Sequence, residues 1–254
     1  MSKHQYTENT SDSATFLQEE RREHTALIRL CGNFFDSIRN LGHRDALLNA
    51  FDALCHDSSV KVIILSAGFC GTTTDDYIRF FREQRGRMEK QDAHRFCNTI
   101  NQILLEMVRA PKLVVHACSG NLPAFFLGMS MASDYGVAGE HSVFHNSFLD
   151  VGALPKGGLP YFISRRARSS AVYDLLLDEQ TIPARQAEKL GLLHRSVPEG
   201  QEEEAAFAHA ATFGRVPLRT ITGTKRLTNW CIRDLEEYLS YENKQILKTL
   251  DVPE

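Results

Sequence analysis

The sequence predicts one large α/β domain in which helices cover a mostly parallel sheet. The first observation is a repeated order of apolar strand, turn and amphipathic helix between residues 44 and 138, which is typical of right-handed parallel crossovers. The second is that the strand candidates are nearly continuous apolar runs, as expected when both faces of a sheet are covered. The third is size, because 254 residues with 43% hydrophobic content are enough for one large core.

The N-terminal part of the chain predicts a polar leader followed by a hairpin. Residues 1–14 are rich in Ser, Thr and Asn and cannot bury enough apolar surface to offset the entropy of ordering, so we expect a flexible leader. Residues 15–20 and 25–31 are short strand candidates on either side of Arg21-Arg22-Glu23, which predicts a β-hairpin. The α/β core is assigned to residues 15–199 and begins with this hairpin.

Two helices and a strand are predicted next. Residues 44–56 carry apolar side chains at helical spacing, and residues 60–65 are a strongly apolar, β-branched strand. Residues 68–87 are expected to form a loop that runs into a polar segment. Residues 92–109 have a second apolar stripe, and Pro111 ends that helix.

The middle of the chain repeats this order before the sequence becomes mostly helical. The apolar strand 112–118 is followed by a break at Ser119-Gly120-Asn121, a buried helix over 123–132 and a strand over 134–138. Beyond Gly157 the sequence predicts helices over 169–177 and 184–190, a short strand within 192–197, and three helices after Gly200. Residues 200–254 are assigned to a C-terminal helical region.

Bulk composition excludes several classes of partner. The net charge is −3, the pI is near 6.4, and Lys and Arg are scattered, so no surface for nucleic acid or an anionic membrane is expected. No apolar run approaches the roughly 20 residues needed to cross a bilayer, which predicts a soluble, cytoplasmic protein. The six cysteines are dispersed and the histidines lack ligand spacing, so we expect reduced core thiols and no metal site.

Residues 111–158 resemble the crotonase (enoyl-CoA hydratase/isomerase) superfamily. That family has a Lys-Pro, a strand, a glycine, a glycine triplet, a helix and an Asp in this order. Counting from Gly120, Asp134 falls at the family's Asp without a gap, and residues 149–158 look like its Leu-Gly-x-x-Pro-x-x-Gly-Gly segment. The resemblance extends over residues 25–242 and includes Asn40-Leu41, residues 59–68 and residues 181–184.

The resemblance implies a fold, an assembly and a substrate class. The fold would be a crotonase-like (ClpP/crotonase) spiral of ββα units with a C-terminal helical trimerisation region. The partners would be an acyl-CoA substrate and further copies of the chain, in a homotrimer or a dimer of trimers (a hexamer). No separate cofactor is expected, because CoA is part of the substrate. A self-contained helical cap is the alternative to trimerisation.

The resemblance also implies an oxyanion hole made of two backbone amides, which would stabilise negative charge on the thioester oxygen. One donor is the amide of Thr74 or Asp75, depending on which aspartate occupies the family's Asp position. The other is the middle residue of the triplet, here Phe125 in Ala124-Phe125-Phe126. Any residue except proline offers an N–H, but two phenylalanines in place of glycines are expected to narrow or reshape the acyl pocket.

The side chains for proton transfer are the main departure from the family. Gly128 and Phe148 stand where the resemblance places its two catalytic glutamates, and neither can activate water or protonate carbon. Lys156 and Asp150 are the nearest ionisable candidates to replace them. The alternatives are a solvent-facing loop lysine and a turn or cap residue. His145 is either a pocket residue or a structural histidine, and His116 is expected in the core.

Two functional hypotheses follow. The first is a lyase or isomerase of the family that acts on an acyl-CoA thioester, with isomerase, decarboxylase or hydrolase chemistry more compatible than hydration. The second is a catalytically inactive crotonase-fold protein that binds CoA thioesters or serves as an assembly subunit. An unrelated α/β enzyme is a third reading, but it leaves the register from Gly120 to Gly158 unexplained.

Overall fold

The computed structural model describes residues 16–67, 72–84, 90–167 and 171–249. The predicted leader over 1–14 lies outside the described residues. The main element of the described part is a six-stranded sheet with the order β1-β2-β3-β4-β6-β9. Its strands are β1 Leu17–Arg22, β2 Thr25–Leu30, β3 Val62–Ala67, β4 Leu113–Cys118, β6 Tyr135–Gly139 and β9 Arg195–Val197.

The strand directions confirm the predicted hairpin and the parallel crossovers. β1 and β2 pair antiparallel from Leu17 opposite Leu30 to Arg22 opposite Thr25. The pairs β2–β3, β3–β4, β4–β6 and β6–β9 are all parallel. All six residues of β3 are buried, which explains why this strand reads as a continuous apolar run.

The two faces of the sheet bury separate sets of side chains. Ile63 and Leu65 face the larger cluster, which contains the helices of the first half of the chain. Leu27 and Ile64 face the smaller cluster, which the helix α9 (Glu202–Ala211) covers with Ala206, Phe207 and Ala210. Because α9 completes the sheet's second face, the C-terminal helical region is packed onto the core rather than separated from it.

Helices α1–α5 lie on the side of the larger cluster. They are α1 Phe34–Arg39, α2 Leu41–His56, α3 Thr74–Gln84, α4 Lys90–Arg109 and α5 Phe125–Ala132. The helix α2 begins three residues before the predicted start because the side chain of Asn40 accepts hydrogen bonds from the amides of Gly42 and His43. The predicted loop is wrong over α3, where Tyr77 and Phe80 are buried and Ile78 and Phe81 pack against the core, so the helix is amphipathic.

A second, small sheet was not predicted from the sequence. It has the order β5-β7-β8, with β5 Asn121–Pro123, β7 Val143–His145 and β8 Thr181–Pro183. Each strand has three residues, which is too short for a period-two pattern to stand out. The sheet fixes the start of α5, because the amide of Ala124 donates to the carbonyl of His145 at 2.8 Å.

The remaining helices complete the core from the C-terminal side. They are α6 Leu159–Arg166, α7 Ala171–Tyr173, which continues as a π-helical turn Asp174–Asp178, α8 Ala184–Lys189, α10 Leu218–Asn229, the 3₁₀ turn Trp230–Ile232 and α11 Leu235–Thr249. Buried Lys225 joins α10 to the core: its Nζ lies 2.6 Å from Asp134 Oδ2 and 2.8 Å from the Met107 carbonyl oxygen. Among the described helices, none combines the length and apolar character that a bilayer crossing requires.

His116 is a fully buried ionisable group of β4. It is fully buried beneath α5, its Nδ1 lies 2.7 Å from Ser130 Oγ, and its ring stacks on Phe126. Burial lowers the pKa of His116 from 6.5 to about 3, because a charged imidazole would be removed from water. His116 is thus a core residue, as the sequence predicts.

We expect His116 to make the protein acid-sensitive. Between pH 6.5 and pH 3 the unfolded chain protonates this histidine and the folded chain does not, so the free energy of unfolding falls as pH falls. The contribution is at most about 1.4 kcal/mol per pH unit. Denaturant unfolding at a series of pH values gives the free energy of unfolding as a function of pH. This free energy should fall less steeply with falling pH for His116→Gln than for the wild type. The same pH dependence in both proteins would contradict the assignment of His116 as a buried neutral histidine. The control is His141→Gln, because the His141 side chain is 77% exposed.

Candidate active site

The helix α5 presents its first backbone amides at the end of a strand. The chain leaves β4 at Cys118, turns at Gly120 with φ of +96°, and enters α5 after Ala124. The first amides that bond inside this helix are those of Leu127 and Gly128, which donate to the Ala124 carbonyl at 2.9 and 3.3 Å. The amide of Phe125 therefore precedes the helical ladder, and it lies at the end of the helix dipole that favours negative charge.

The helix α3 presents a second set of first-turn amides. Thr73 caps it: the Thr73 amide donates to Asp76 Oδ2 at 2.9 Å, and the Asp76 amide donates to Thr73 Oγ1 at 3.3 Å. Asp76 is therefore a capping residue. The amides of Thr74 and Asp75 occupy the first positions of α3, where the helix itself provides no acceptor. The preceding residues 68–71 lie outside the described part of the chain.

Aromatic side chains fill the space between the starts of α3 and α5. We call them the aromatic cluster: Phe34, Phe35, Tyr77, Phe80, Phe96, Phe125 and Phe126. The ring of Phe35 lies between the two helices, with its centroid 5.3 Å from that of Tyr77 and 5.7 Å from that of Phe125. Phe34 stacks on Phe125 at 5.2 Å. Such pairs add to the stability gained by burial and hold each ring in one orientation.

Thr72 connects this cluster to the residues that precede α3. Its Oγ1 accepts a hydrogen bond from the Phe34 amide at 2.8 Å and donates to the Gly32 carbonyl at 3.1 Å. Thr72 is buried, so both bonds are shielded from water. The start of α1 and the start of α3 are therefore fixed to one another, and the ring of Phe34 is held against Phe125.

Backbone atoms of another loop occupy the space beside Gly128. A Cβ added at Gly128 would overlap the carbonyl oxygen of Gly157 and come within 3.1 Å of its carbonyl carbon. A glutamate at this position would therefore require the backbone around Gly157 to move. Phe148, at the other position that the resemblance assigns to a glutamate, is 4% exposed and belongs to the core.

Lys156 is buried in an ion pair, so its alternative assignment as a solvent-facing lysine is wrong. Its Nζ lies 2.6 Å from Oε2 of Glu242 in α11, and both side chains are at most 5% exposed. The same Nζ donates to Oδ1 of Asn101 in α4. Glu242 also accepts a hydrogen bond from the Gly158 amide at 2.8 Å. These contacts use Lys156 to hold its own loop and do not favour a proton-transfer role.

Asp150, the other catalytic candidate, and His145, a predicted pocket residue, are placed differently. Asp150 is exposed in a turn in which the Gly152 amide donates to the Leu149 carbonyl, as the turn alternative predicts. His145 is partly buried in β7, and its Nε2 is buried without a hydrogen-bond partner among the described residues. Its backbone carbonyl accepts the hydrogen bond from the Ala124 amide at the start of α5.

Glu242 and Asn101 were not predicted from the sequence as parts of this region. A signal for Glu242 was present: it lies at helical spacing in the buried stripe of α11 formed by Leu235, Leu239 and Ile246. A carboxylate on such a stripe needs a buried partner. Asn101 has the same kind of position on α4, where its Nδ2 donates to the carbonyl of Leu239 at 3.0 Å.

The fold and this site define a protein of the crotonase type, an α/β spiral with backbone amides at two helix starts. Residues 39–251 match the enoyl-CoA hydratase/isomerase family. The chain belongs to this family.

Two of the similar proteins are named for different reactions, one as a hydratase and one as an isomerase. A probable enoyl-CoA hydratase of Mycobacterium bovis is 26% identical over 188 residues, which cover 72% of this chain and 66% of the relative. The chain thus spans slightly under two thirds of that relative. A trans-2-decenoyl-[acyl-carrier-protein] isomerase of Streptococcus mutans is 22% identical over 59% of this chain and 57% of the isomerase.

Solved structures agree with the fold. The crystal structure of an enoyl-CoA hydratase from Bacillus halodurans superimposes with a TM-score of 0.78 at 21% identity, and the match covers 93% of this chain and 95% of the other. A structure of DspI from Pseudomonas aeruginosa gives a TM-score of 0.74 at 18% identity, over 96% of this chain and 92% of the other.

The contact between Gly128 and Gly157 predicts that even one methyl group at position 128 is harmful. Gly128→Ala should lower the free energy of unfolding by about 1–3 kcal/mol, because the methyl group overlaps backbone that must shift. The matched control is Gly223→Ala in α10, where an added Cβ would meet no atom within 4 Å. The control should raise the free energy of unfolding by about 0.5–1 kcal/mol through helix propensity. Equal effects of the two substitutions in denaturant unfolding would refute the contact.

Proposed function

We propose that the protein processes an acyl-CoA thioester by stabilising negative charge on the thioester oxygen with backbone amides. One observation carries this proposal: the Phe125 amide opens α5 before the first helical hydrogen bond, where the resemblance expects an oxyanion donor. The first amides of α3, those of Thr74 and Asp75, support a second donor. Preorganised donors of this kind supply several kcal/mol to an enolate-like transition state.

The proposed reaction is not hydration of a double bond. Hydration needs one group to activate water and another to protonate carbon, and neither Gly128 nor Phe148 offers a carboxyl group. Isomerase, decarboxylase or hydrolase chemistry needs fewer such groups. Decarboxylation needs fewest, because breaking the bond to the departing CO₂ leaves its electron pair on the enolate, and water then supplies the proton. The burial of Lys156 in an ion pair favours this least demanding reaction.

A catalytically inactive thioester-binding protein or assembly subunit is the second candidate. Two observations favour it: Lys156 is engaged by Glu242, and Asp150 is exposed in a turn. We also propose the homotrimer or dimer of trimers that the resemblance implies. Three large exposed side chains of the C-terminal region support an assembly surface: Leu227 is 78% exposed, Trp230 68% and Tyr241 59%.

Removing only the Phe125 N–H tests the proposed donor. Phe125 is replaced by phenyllactic acid, which keeps the ring and exchanges the amide for an ester; the same replacement at Phe51, inside α2, is the control. Binding of CoA, acetyl-CoA and malonyl-CoA is measured by calorimetry, and turnover of a thioester panel by mass spectrometry. Losing one oxyanion donor should lower kcat by about 10²–10³-fold at position 125 only.

Each outcome of this experiment has a defined reading. If the wild type binds none of the three compounds, the thioester premise is wrong for both candidates. If it binds them without turning over any thioester in the panel, the inactive candidate replaces the enzyme. If turnover occurs and the ester at position 125 leaves it unchanged, the reaction does not use this amide.

The aromatic cluster predicts a preference for short acyl groups. Phe34→Ala should open space beside Phe125 and improve binding of longer acyl-CoAs relative to acetyl-CoA. The gain should be about fourfold for each methylene that becomes buried, from about 0.8 kcal/mol per CH₂. Phe51→Ala, which also removes a buried ring, is the control for general loss of stability. Calorimetric titration from acetyl-CoA to octanoyl-CoA measures the profile, and parallel profiles for all three proteins would contradict the prediction.

A further inference from the structure

The loop that contains Gly157 lies directly against the start of α5. Gly157 has φ of +86°, and a Cβ added to it would meet the Phe125 carbonyl oxygen at 3.3 Å and the Phe125 Cα at 3.5 Å. Its own carbonyl oxygen is packed against Gly128, one turn further along the helix. One residue of this loop therefore touches the backbone at both ends of the first turn of α5.

A single side chain of α11 holds the residues on both sides of Gly157. Oε2 of Glu242 lies 2.6 Å from Lys156 Nζ, and Oε1 accepts the Gly158 amide at 2.8 Å. Asn101 adds a second oxygen for Lys156 and a hydrogen bond to the carbonyl of Leu239. Because both oxygens of Glu242 are used, a shift of α11 would displace residues 156–158 together.

The burial of this group makes the connection stiff. The side chains of Glu242 and Lys156 are at most 5% exposed, so water cannot replace either partner without opening the core. A buried charge that loses its partner is strongly unfavourable. Gly157 is thus fixed by the contacts of its two neighbours, Lys156 and Gly158. The α5 backbone that Gly157 contacts is fixed with it.

We propose that Glu242 is a positioning residue for the Phe125 amide. It acts through Lys156 and Gly158, which hold Gly157 in contact with the first turn of α5. This inference rests on the proposed function in so far as the positioned amide is the oxyanion donor. It assigns to α11 a role in the orientation of that donor, in addition to its packing on α4.

A second ion pair, in which the Lys225 side chain is buried and that of Asp134 is 22% exposed, provides the control. Lys225 and Asp134 also join the C-terminal helical region to the core, and their atoms lie 2.6 Å apart. Asp134 follows the other end of α5, which is about 12 Å from Phe125 for a helix of eight residues. Disrupting this pair should disturb docking of the C-terminal region without moving Gly157.

Selective isotope labelling can observe the Phe125 amide directly. An Ala precedes Phe at three places in the chain, Ala50-Phe51, Ala124-Phe125 and Ala206-Phe207. Labelling with carbonyl-¹³C alanine and ¹⁵N phenylalanine therefore leaves three amide signals in a carbonyl-filtered NMR spectrum of the full-length protein. The signals of Phe51 in α2 and Phe207 in α9 are internal references.

The test compares three variants in the absence of ligand. Glu242→Gln keeps an oxygen for Gly158 but loses the carboxylate. Lys156→Met/Glu242→Leu removes both charges without leaving one unpaired, so we expect it to retain the fold. Both should shift the Phe125 signal more than those of Phe51 and Phe207. Lys225→Met/Asp134→Asn should leave the Phe125 signal in place. A Phe125 signal that moves no more than the references in the double variant at 156 and 242 overturns the inference.

Adding acetyl-CoA labelled with ¹³C at the thioester carbonyl separates the inference from the proposed function. Wild type and the Lys225→Met/Asp134→Asn variant should shift this carbonyl downfield, and the Lys156→Met/Glu242→Leu variant should lose the shift. A Phe125 signal that responds to Glu242, with no carbonyl shift in the wild type, supports the positioning role and rejects the thioester function. A carbonyl shift retained in all variants rejects the positioning role alone.

Discussion

The buried ion pair between Lys156 and Glu242 is the interaction on which the candidate site depends. Removing two charges from water carries a large desolvation cost, which is offset only when each charge has close partners. Here the carboxylate contacts both an ammonium group and a backbone amide, and the ammonium group has a second oxygen in Asn101. The pair therefore fixes three elements relative to one another: the loop around Gly157, α4 and α11.

The site separates backbone chemistry from side-chain chemistry. The amides at the starts of α3 and α5 follow from the course of the chain and require no particular side chain except the absence of proline. A general acid or base requires a specific group, and positions 128 and 148 provide none. A fold can thus bind a developing oxyanion even when it lacks the side chains for proton transfer. This favours reactions that need only the oxyanion donors.

Much of the fold was predictable because its signals are local. Continuous apolar strands such as β3 and β4 and the amphipathic helix α4 are visible in a short window of sequence. The helix α3 was missed although Tyr77-Ile78 and Phe80-Phe81 give it an amphipathic pattern, because its charged residues were taken to indicate a polar segment. The three-residue strands β5, β7 and β8 were missed because their pairing is entirely non-local.

The candidate site was less predictable than the fold. The family register placed Phe125 at the start of α5 and Gly128 on that helix. It could not show that Gly157 fills the space beside Gly128, because that contact joins residues 29 positions apart. It offered Lys156 as a catalytic candidate, with a solvent-facing loop lysine as the alternative, since nothing near Lys156 in sequence reveals that its partner lies 86 residues away.

The close packing of Gly128 against Gly157 limits which sequences can be reached from this one. A carboxylate at position 128 becomes possible only after the loop has withdrawn, and the loop cannot withdraw while Glu242 holds both of its sides. Each of the required changes is therefore harmful when it comes first. In the present backbone an acid at this position therefore requires at least two coordinated changes, one at residue 128 and one in the contacts that hold the loop.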